Sequence, residues 1–306
     1  MQQCNNAQFG MTATTAGRWV GVLCGRVGYC CVLSSLCHHP GDGAWQVRPA
    51  ALTVSGHRRG EHAGQVDRPQ VQVSVAAGLR LFLKPAHRGG SVWVACDGIS
   101  SLGHVVQSLG VPLTEVGDLL VNGSLVSPGY RPTGAEVVEV GPVSRPQPVP
   151  VARFVLDVHL GALARRLRLV GVDTAYANDT GDDALIEQAN TGRRILLTQD
   201  RGLLRRRALW LGAYVYDAHP DAQLTDVLDR FAPPLAPWTR CAACNGLIFP
   251  VSKAEVEPLL QSGTRRTYQA FSRCQACGRV YWRGAHGKRI QALIATAQRT
   301  THTPGR

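Results

Sequence analysis

Two Cys-x-x-Cys pairs, Cys241/Cys244 and Cys274/Cys277, lie near the end of the chain with 29 residues between them. That spacing suits a zinc ribbon, in which two turns bring four thiolates around one tetrahedral Zn²⁺. A unit with so little apolar core needs its metal to fold, so the zinc is read as structural. A thioredoxin-like redox role is disfavoured, because neither pair sits in the βαβ setting which that motif requires. Ahead of the cysteines, three separated acids, Asp157, Asp182 and Asp200, fall at strand ends or at a helix start. Clustered carboxylates repel unless cations hold them together, and hard oxygen ligands with open positions suit Mg²⁺ or Mn²⁺. Such ions activate a water and stabilise the leaving oxygen of a phosphodiester. No Ser-His-Asp set, Walker loop or dinucleotide glycine fingerprint competes for the site.

The elements that must position these acids are short. Phe154–Val158 is an apolar run carrying one acid, which predicts a buried strand presenting Asp157 near its carboxyl end. Leu160, Leu163, Ala164, Leu167 and Val170 then recur at helical spacing, and Gly171 supplies a stop. Arg165, Arg166 and Arg168 fall off that stripe, either to hold phosphates or simply as an exposed basic face. A second unit follows, with Thr174–Ala177 as a strand, a loop to Gly181, and a helix from Asp182 to Asn190. Asp182 or Asp183 also suits a helix start for purely structural reasons, since a carboxylate there meets free amides and the dipole. Arg194–Thr198 is a second buried strand leading into Gln199-Asp200. Alternating strands and helices imply a parallel sheet with right-handed crossovers, whose ligands lie at the carboxyl ends of the strands.

The rest of the 306-residue chain divides by charge and texture. Its 44% hydrophobic content is that of globular protein, and the net charge of +12 favours an anionic partner. Residues 1–150 carry +3 and residues 151–229 carry −1, whereas residues 230–306 hold twelve Lys and Arg against two acids. A basic segment built around Cys pairs reads as a nucleic-acid module. A disulfide framework is disfavoured, since four of the ten cysteines are in the pairs and five of the other six lie at or before Cys37; a reducing, cytoplasmic setting fits. Residues 1–68 lack sustained periodicity and predict a disordered extension or a translation start placed too early. Within them the apolar run Trp19–Cys37 is broken by Arg26 and glycines, a poor membrane span, so no stable membrane association is expected.

From about Val71 the pattern improves. Leu79–Lys84 and Ser91–Cys96 alternate like paired strands, Ser101–Leu109 reads as a helix, and Asp118–Val121, Leu125–Val126 and Glu136–Val140 read as strands, with Asn122-Gly123 as a tight turn. This ββαββ order resembles the ubiquitin-like β-grasp of small sulfur carriers. Those carriers end in a free Gly-Gly, whereas this chain runs on through Gly141-Pro142, so a carrier role is disfavoured. The Pro-rich stretch that follows reads as a stiff linker.

The motifs Phe154-Val155-Leu156-Asp157, Leu163–Gly171, Asp182–Ala189 and Leu196–Arg201, followed by Cys274–Gly284, resemble the Mut-seven C-terminal RNase domain, a PIN-like nuclease with a zinc ribbon behind it. A ubiquitin-like domain ahead of the nuclease also occurs in that family. The resemblance implies that Asp157, Asp182 and Asp200 are the catalytic, Mg²⁺- or Mn²⁺-binding acids, with Asp183 and Asp179 as fallbacks for the middle one. In PIN-like relatives the middle acid precedes an Ala by seven positions, as Asp182 precedes Ala189. Active PIN domains often carry a further acid in the helix after the first strand, where this chain has arginines.

The expected architecture is thus α/β: a β-grasp domain over 69–143, a linker over 144–151, a PIN-like core over 152–235, a zinc ribbon over 236–292 and a disordered tail over 293–306. The expected function is RNA cleavage, with single-stranded DNA as the other substrate and a protein partner on the β-grasp domain. The other reading is a non-catalytic RNA-binding or adaptor protein with the same fold and zinc site. Nucleic-acid contacts are expected from Arg165, Arg166, Arg168, Arg201, Arg273, Arg279, Arg283, Lys288 and Arg289. His286 reads as a surface or RNA-contacting residue, and Tyr281 and Trp282 as stacking platforms or as packing against the core.

Overall fold

The computed structural model describes residues 69–284 and 287–302, the latter without the side chains of 287–289 and 301–302, and the backbone of three strands nearer the N-terminus. Those strands, β1 (Gly10–Ala13), β2 (Trp19–Cys24) and β3 (Cys30–Ser34), form an antiparallel sheet within a unit spanning Met1–Gln65. Disorder, one of the two expectations for residues 1–68, is corrected over these three stretches; the remainder lies outside the described residues. The apolar run Trp19–Cys37 holds β2 and β3, and no helix among the described residues is long and apolar enough to cross a membrane.

The second unit runs from Val66 to Arg306. It opens with a five-stranded sheet of β4 (Gln70–Val75), β5 (Val92–Ala95), β6 (Val116–Val121), β7 (Ser124–Val126) and β8 (Val137–Pro142), in the order β5-β4-β8-β6-β7. Strands β4 and β8 are parallel and the other pairs antiparallel. Helix α1 (Leu102–Ser108), capped by Ser101, buries Leu102, Val105 and Val106 against Val71, Val73 and Val138. The hairpin at Asn122-Gly123 has φ of 49° and 78°, the paired left-handed conformation that a two-residue turn requires. The first strand of this sheet is Gln70–Val75, not Leu79–Lys84. Residues 77–82 instead wind as a 3₁₀ turn that drops Leu79 and Phe82, three apart, onto one side.

The central sheet is parallel throughout: β9 (Phe154–Leu156), β10 (Thr174–Tyr176), β11 (Ile195–Thr198) and β12 (Gly212–Tyr214), in the order β10-β9-β11-β12. Strands buried on both faces must be apolar throughout, and every residue of β9 and β11 is buried. Helices α2 (Gly161–Leu169) and α5 (Pro220–Phe231) cover Phe154, Leu156, Ile195 and Leu197 on one face. Helices α3 (Asp182–Thr191) and α4 (Arg201–Leu204) cover Val155 and Leu196 on the other. After α2, Gly171 has φ +87°, and a Cβ there would lie 1.9 Å from the Ala236 carbonyl oxygen, so only glycine closes this turn.

The third part is an antiparallel sheet of β13 (Ile248–Val251), β14 (Phe271–Cys274) and β15 (Val280–Tyr281), in that order. Between β13 and β14 lie two short helices, α6 (Lys253–Val256) and α7 (Ser262–Thr267). Helix α8 (Gly287–His302) returns to the central core, burying Ile294 and Ala297 among the residues of α2 and α5, so the disorder expected from residue 293 is corrected as far as His302.

The β-grasp sheet and the central sheet are joined by a buried ion pair. Arg230 and Glu115 are each 1% exposed and 2.7 Å apart. Arg230 also donates to the Thr114 carbonyl and the Gln147 side chain, while Glu115 accepts from the Tyr214 amide and the Tyr216 hydroxyl. The Pro-rich stretch lies against α5, with Arg145 paired to Asp226 and Asp229.

Candidate active edge and cysteine metal centre

Strands β9 and β11 are the innermost pair of the central sheet. The chain leaves β9 toward β10 on one side and returns to β11 on the other, so the crevice beyond their carboxyl ends is the topological switch point. Asp157 and Asp200 follow these two strands. Alternation places Asp157 and Thr198 on the same face as Val155 and Leu196, the face covered by α3, whose first residue is Asp182.

Asp157 is 9% exposed. Its Oδ1 accepts from the Val158 amide at 2.6 Å and its Oδ2 from the Thr198 hydroxyl at 2.6 Å. The Thr198 oxygen accepts in turn from the Asp200 amide at 2.8 Å. One buried hydroxyl therefore locks the two acidic positions together. Asp200 caps α4, with its Oδ1 accepting from Gly202 and Leu203, which leaves Oδ2 without a hydrogen-bond donor among the described residues. Asp182 is exposed in the first turn of α3 and has no ion pair or side-chain hydrogen bond among the described residues. Asp183 beside it pairs with Arg206, and Asp179 is exposed in the preceding loop.

The sequence-expected trio is therefore brought together in part. Asp157 and Asp200 share Thr198, and Asp182 stands at the same end of the sheet. Among the described residues, the four cysteines are the only group of three or more His, Cys, Asp or Glu gathered closely enough to hold a metal ion. The donor types at the acidic edge fit a hard divalent cation, since two carboxylates keep an oxygen open and the third is positioned by hydrogen bonds.

The cysteine centre is built from two equivalent turns. In the first, Asn245 donates its amide to Cys241 O and Cys241 donates to Gly246 O; in the second, Gly278 donates to Cys274 O and Cys274 to Arg279 O. Asn245 and Gly278 both have left-handed φ, +70° and +71°. Packing is tight enough that a Cβ on Gly246 would meet Cys274 Sγ at 3.0 Å and Ala276 Cβ at 2.8 Å. All four sulfurs lie within 4.8 Å of one another, with Cys241–Cys277 at 3.6 Å and Cys244–Cys274 at 3.5 Å. These separations are far beyond the bond of about 2.05 Å in a disulfide. They approach the edge of about 3.8 Å of a tetrahedron with Zn–S near 2.3 Å, so the donor set fits Zn²⁺. Burial raises the Cys241 thiol, but hydrogen bonds from the Tyr281 hydroxyl, 2.9 Å away, and from the Cys244 and Ala243 amides bring it down to about 6. Cys244 is exposed on one side, and local desolvation with the crowding of Cys277, Cys274 and Cys241 around its sulfur pushes it up to about 12.

The family model of the Mut7-C RNAse domain matches residues 152–294, and that of Mut7-C ubiquitin matches residues 68–148. The chain carries a Mut7-C RNAse domain behind a Mut7-C ubiquitin domain. No curated protein and no solved structure matches it. The family points to a nuclease-like role for residues 152–294, and the ubiquitin-like domain is of a kind that meets protein partners.

Within the RNAse domain the expected basic residues divide. Arg168 is corrected from a phosphate contact to an internal strut: it is 2% exposed and donates to the carbonyls of Thr174, Ala242 and Ala243. Burial lowers its pKa. Arg166 pairs with Asp221, Arg201 lies over the Phe82 ring of the ubiquitin domain, and Arg165 is exposed. Arg273, Arg279 and Arg283 are exposed on the ribbon. Lys288 and Arg289 lie on α8 with side chains outside the described set, as does His286 altogether. Tyr281 gives its hydroxyl to Cys241, whereas Trp282 is 40% exposed and packs against Phe271 within the ribbon.

Sequence reasoning missed the roles of three residues that organise these sites. Thr198 links the acids, and its one signal is a hydroxyl ending an apolar strand. Asn245 ties the first cysteine turn to the core, accepting from the Thr174 amide and donating to Asp173. Tyr281 tunes the thiol, for which its place seven residues past a cysteine gives no sign.

Proposed function

We propose that the protein is a metal-dependent ribonuclease that cleaves RNA phosphodiester bonds at the edge formed by Asp157, Asp182 and Asp200. The observation carrying this reading is the hydrogen-bonded chain Asp157–Thr198–Asp200 at the switch point of a parallel sheet, with Asp182 at the start of the overlying helix. A Mg²⁺ or Mn²⁺ bound there would supply an activated water and charge stabilisation at the leaving oxygen. Asp157 is the positioned member, fixed by Val158 and Thr198. Asp200 offers Oδ2 toward solvent, and Asp182 offers a carboxylate on an exposed helix turn whose dipole favours an anion nearby. The four cysteines hold structural Zn²⁺, and the ribbon contributes the positive charge that retains the RNA.

The test is cleavage of labelled single-stranded and structured RNA by the zinc-loaded protein with Mg²⁺, Mn²⁺ or no added divalent ion. Metal-dependent products that vanish in Asp157→Asn and Asp200→Asn are the expected result. The amide of Asp157→Asn can still accept from Val158 and donate to Thr198, so loss of cleavage in this variant reports chemistry and not unfolding. Intact RNA under every condition, with salt-sensitive binding retained, would favour the second reading, a non-catalytic RNA-binding protein. That reading draws on the capping work already done by Asp200 and on the separation of Asp182 from the other two acids.

A further inference from the structure

The ribbon contains an open cleft of about 540 Å³ that the acidic edge does not use. Its wall is aromatic: Trp238, Tyr268, Phe271 and Trp282 line it, with Arg283 at its margin. Trp238 reaches it from the turn after the central core, held at φ +65°, a backbone conformation that bulky residues rarely adopt. The Arg283 guanidinium lies 5.6 Å from the Trp238 ring centroid, and among the described residues no carboxylate pairs with it. Trp282 leaves 40% of its surface in solvent. A three-stranded sheet this small gains little by leaving a tryptophan half out of its own core.

We infer that this cleft takes an unpaired nucleobase of single-stranded RNA, stacked on the aromatic wall while Arg283 meets the adjoining phosphate. Two observations select this occupant over an apolar peptide. An apolar partner would seat itself beside an uncompensated guanidinium, whereas a nucleotide brings an anion attached to a flat π surface. The cleft also lies in the segment with twelve Lys and Arg against two acids, and exposed Arg265, Arg266 and Arg273 belong to the same sheet-and-helix unit. The site is remote from the acids in chain connectivity. The first cysteine turn is fastened through Asn245 to Thr174, the first residue of β10, while Asp157 and Asp200 follow the carboxyl ends of their strands. A strand bound in the cleft would thus be anchored apart from the bond to be cut, which requires single-stranded reach across the domain. The inference rests on the proposal that RNA is the substrate.

The experiment is equilibrium binding of the full zinc-loaded chain to a short labelled oligoribonucleotide, without added Mg²⁺ or Mn²⁺, compared with the same backbone carrying abasic sites. Base stacking predicts that the abasic strand binds about 5- to 150-fold more weakly. Trp282→Ala should bring the two strands to similar affinity, Trp282→Phe should keep part of the difference, and Arg283→Gln should weaken both while lowering the salt dependence by about one ion. A fluorescent adenine analogue in the strand should be quenched by the parent protein and not by Trp282→Ala. Zinc content and circular dichroism of the variants separate loss of the cleft from loss of the ribbon. Equal affinity for base-bearing and abasic strands overturns the inference, as does absence of RNA binding, which would leave the cleft to a protein ligand. Base-dependent binding without metal-dependent cleavage would sink the nuclease reading and leave the cleft standing; cleavage with base-independent binding would do the reverse.

Discussion

Each pair of cysteines is positioned by a single turn closed by its own backbone hydrogen bonds, whereas the three aspartates are positioned by three different elements: the end of β9, the start of α3 and the turn before α4. The cysteine centre needs only two local turns and the pairing of β13 with β14 to bring its sulfurs together. The acidic edge needs the register of β9 against β11, because Thr198 links Asp157 to Asp200 by hydrogen bonds to both. Local construction gives a centre that is readable from spacing and whose folding a metal would dominate. Distributed construction gives a site whose geometry is inherited from the core.

The largest effect should come from the cysteine side. Zinc binding to small thiolate sites is worth about 10–16 kcal/mol and is inseparable from their folding. Chelation, or Cys241→Ser, should therefore release the metal and open residues 241–282 to protease, while the central sheet with its own cores stays protected. Protease cuts spread evenly through both parts, or a ribbon still resistant after zinc is gone, would show that the two constructions are not independent.

On the acidic side the sharpest probe is Thr198→Val, which keeps the shape of a fully buried side chain and deletes the hydroxyl. It strands an Asp157 oxygen and the Asp200 amide, at a cost of about 1–3 kcal/mol for each buried group left unpaired. Urea unfolding should register that loss, and Thr198→Ser should recover most of it. A smaller loss, about 1 kcal/mol, is expected for Asp200→Ala, which removes the cap of the short helix α4. Were Thr198→Val to be no more harmful than Asp200→Ala, the hydroxyl would not be the link between the two acids.

The same contrast explains what could be read from residue order. Phe154–Leu156, Leu163–Gly171 and Ile195–Thr198 were legible because burial on both faces demands apolar runs and the covering helix demands its own period. The Cys turns and the Asn122-Gly123 hairpin were legible because their chemistry is local. Leu79–Lys84 misled because hydrophobic spacing over six residues suits a strand as well as a 3₁₀ turn; the alternation in Val71, Val73 and Val75 was the truer strand signal. Arg168 misled because an arginine beside an apolar stripe usually reaches solvent, and only the later segment Ala242-Ala243 supplies the carbonyls that draw it inward. The Glu115–Arg230 pair joins residues 115 positions apart, beyond any local pattern.

A final, smaller prediction concerns the joint between the two constructions. Asp173 accepts from Arg194 at 2.8 Å and from the Asn245 side chain at 2.8 Å, with Arg240 at 3.5 Å. Burial acts to raise its pKa, but the Arg194 and Asn245 hydrogen bonds and the two positive charges outweigh it and hold the carboxyl below its usual range. A group whose folded pKa is depressed stabilises the fold above its unfolded value of about 3.9 and loses that contribution as pH falls through the folded value. Asp173→Asn should thus be less stable than the parent near neutrality, and the difference should shrink below about pH 4. Acidification also protonates the four cysteine thiolates, but it does so in both proteins, so the difference between their urea midpoints isolates the carboxylate. A gap that stays constant from neutrality into acid would mean that Asp173 holds the first cysteine turn by shape alone, and that the joint carries no charge-dependent strength.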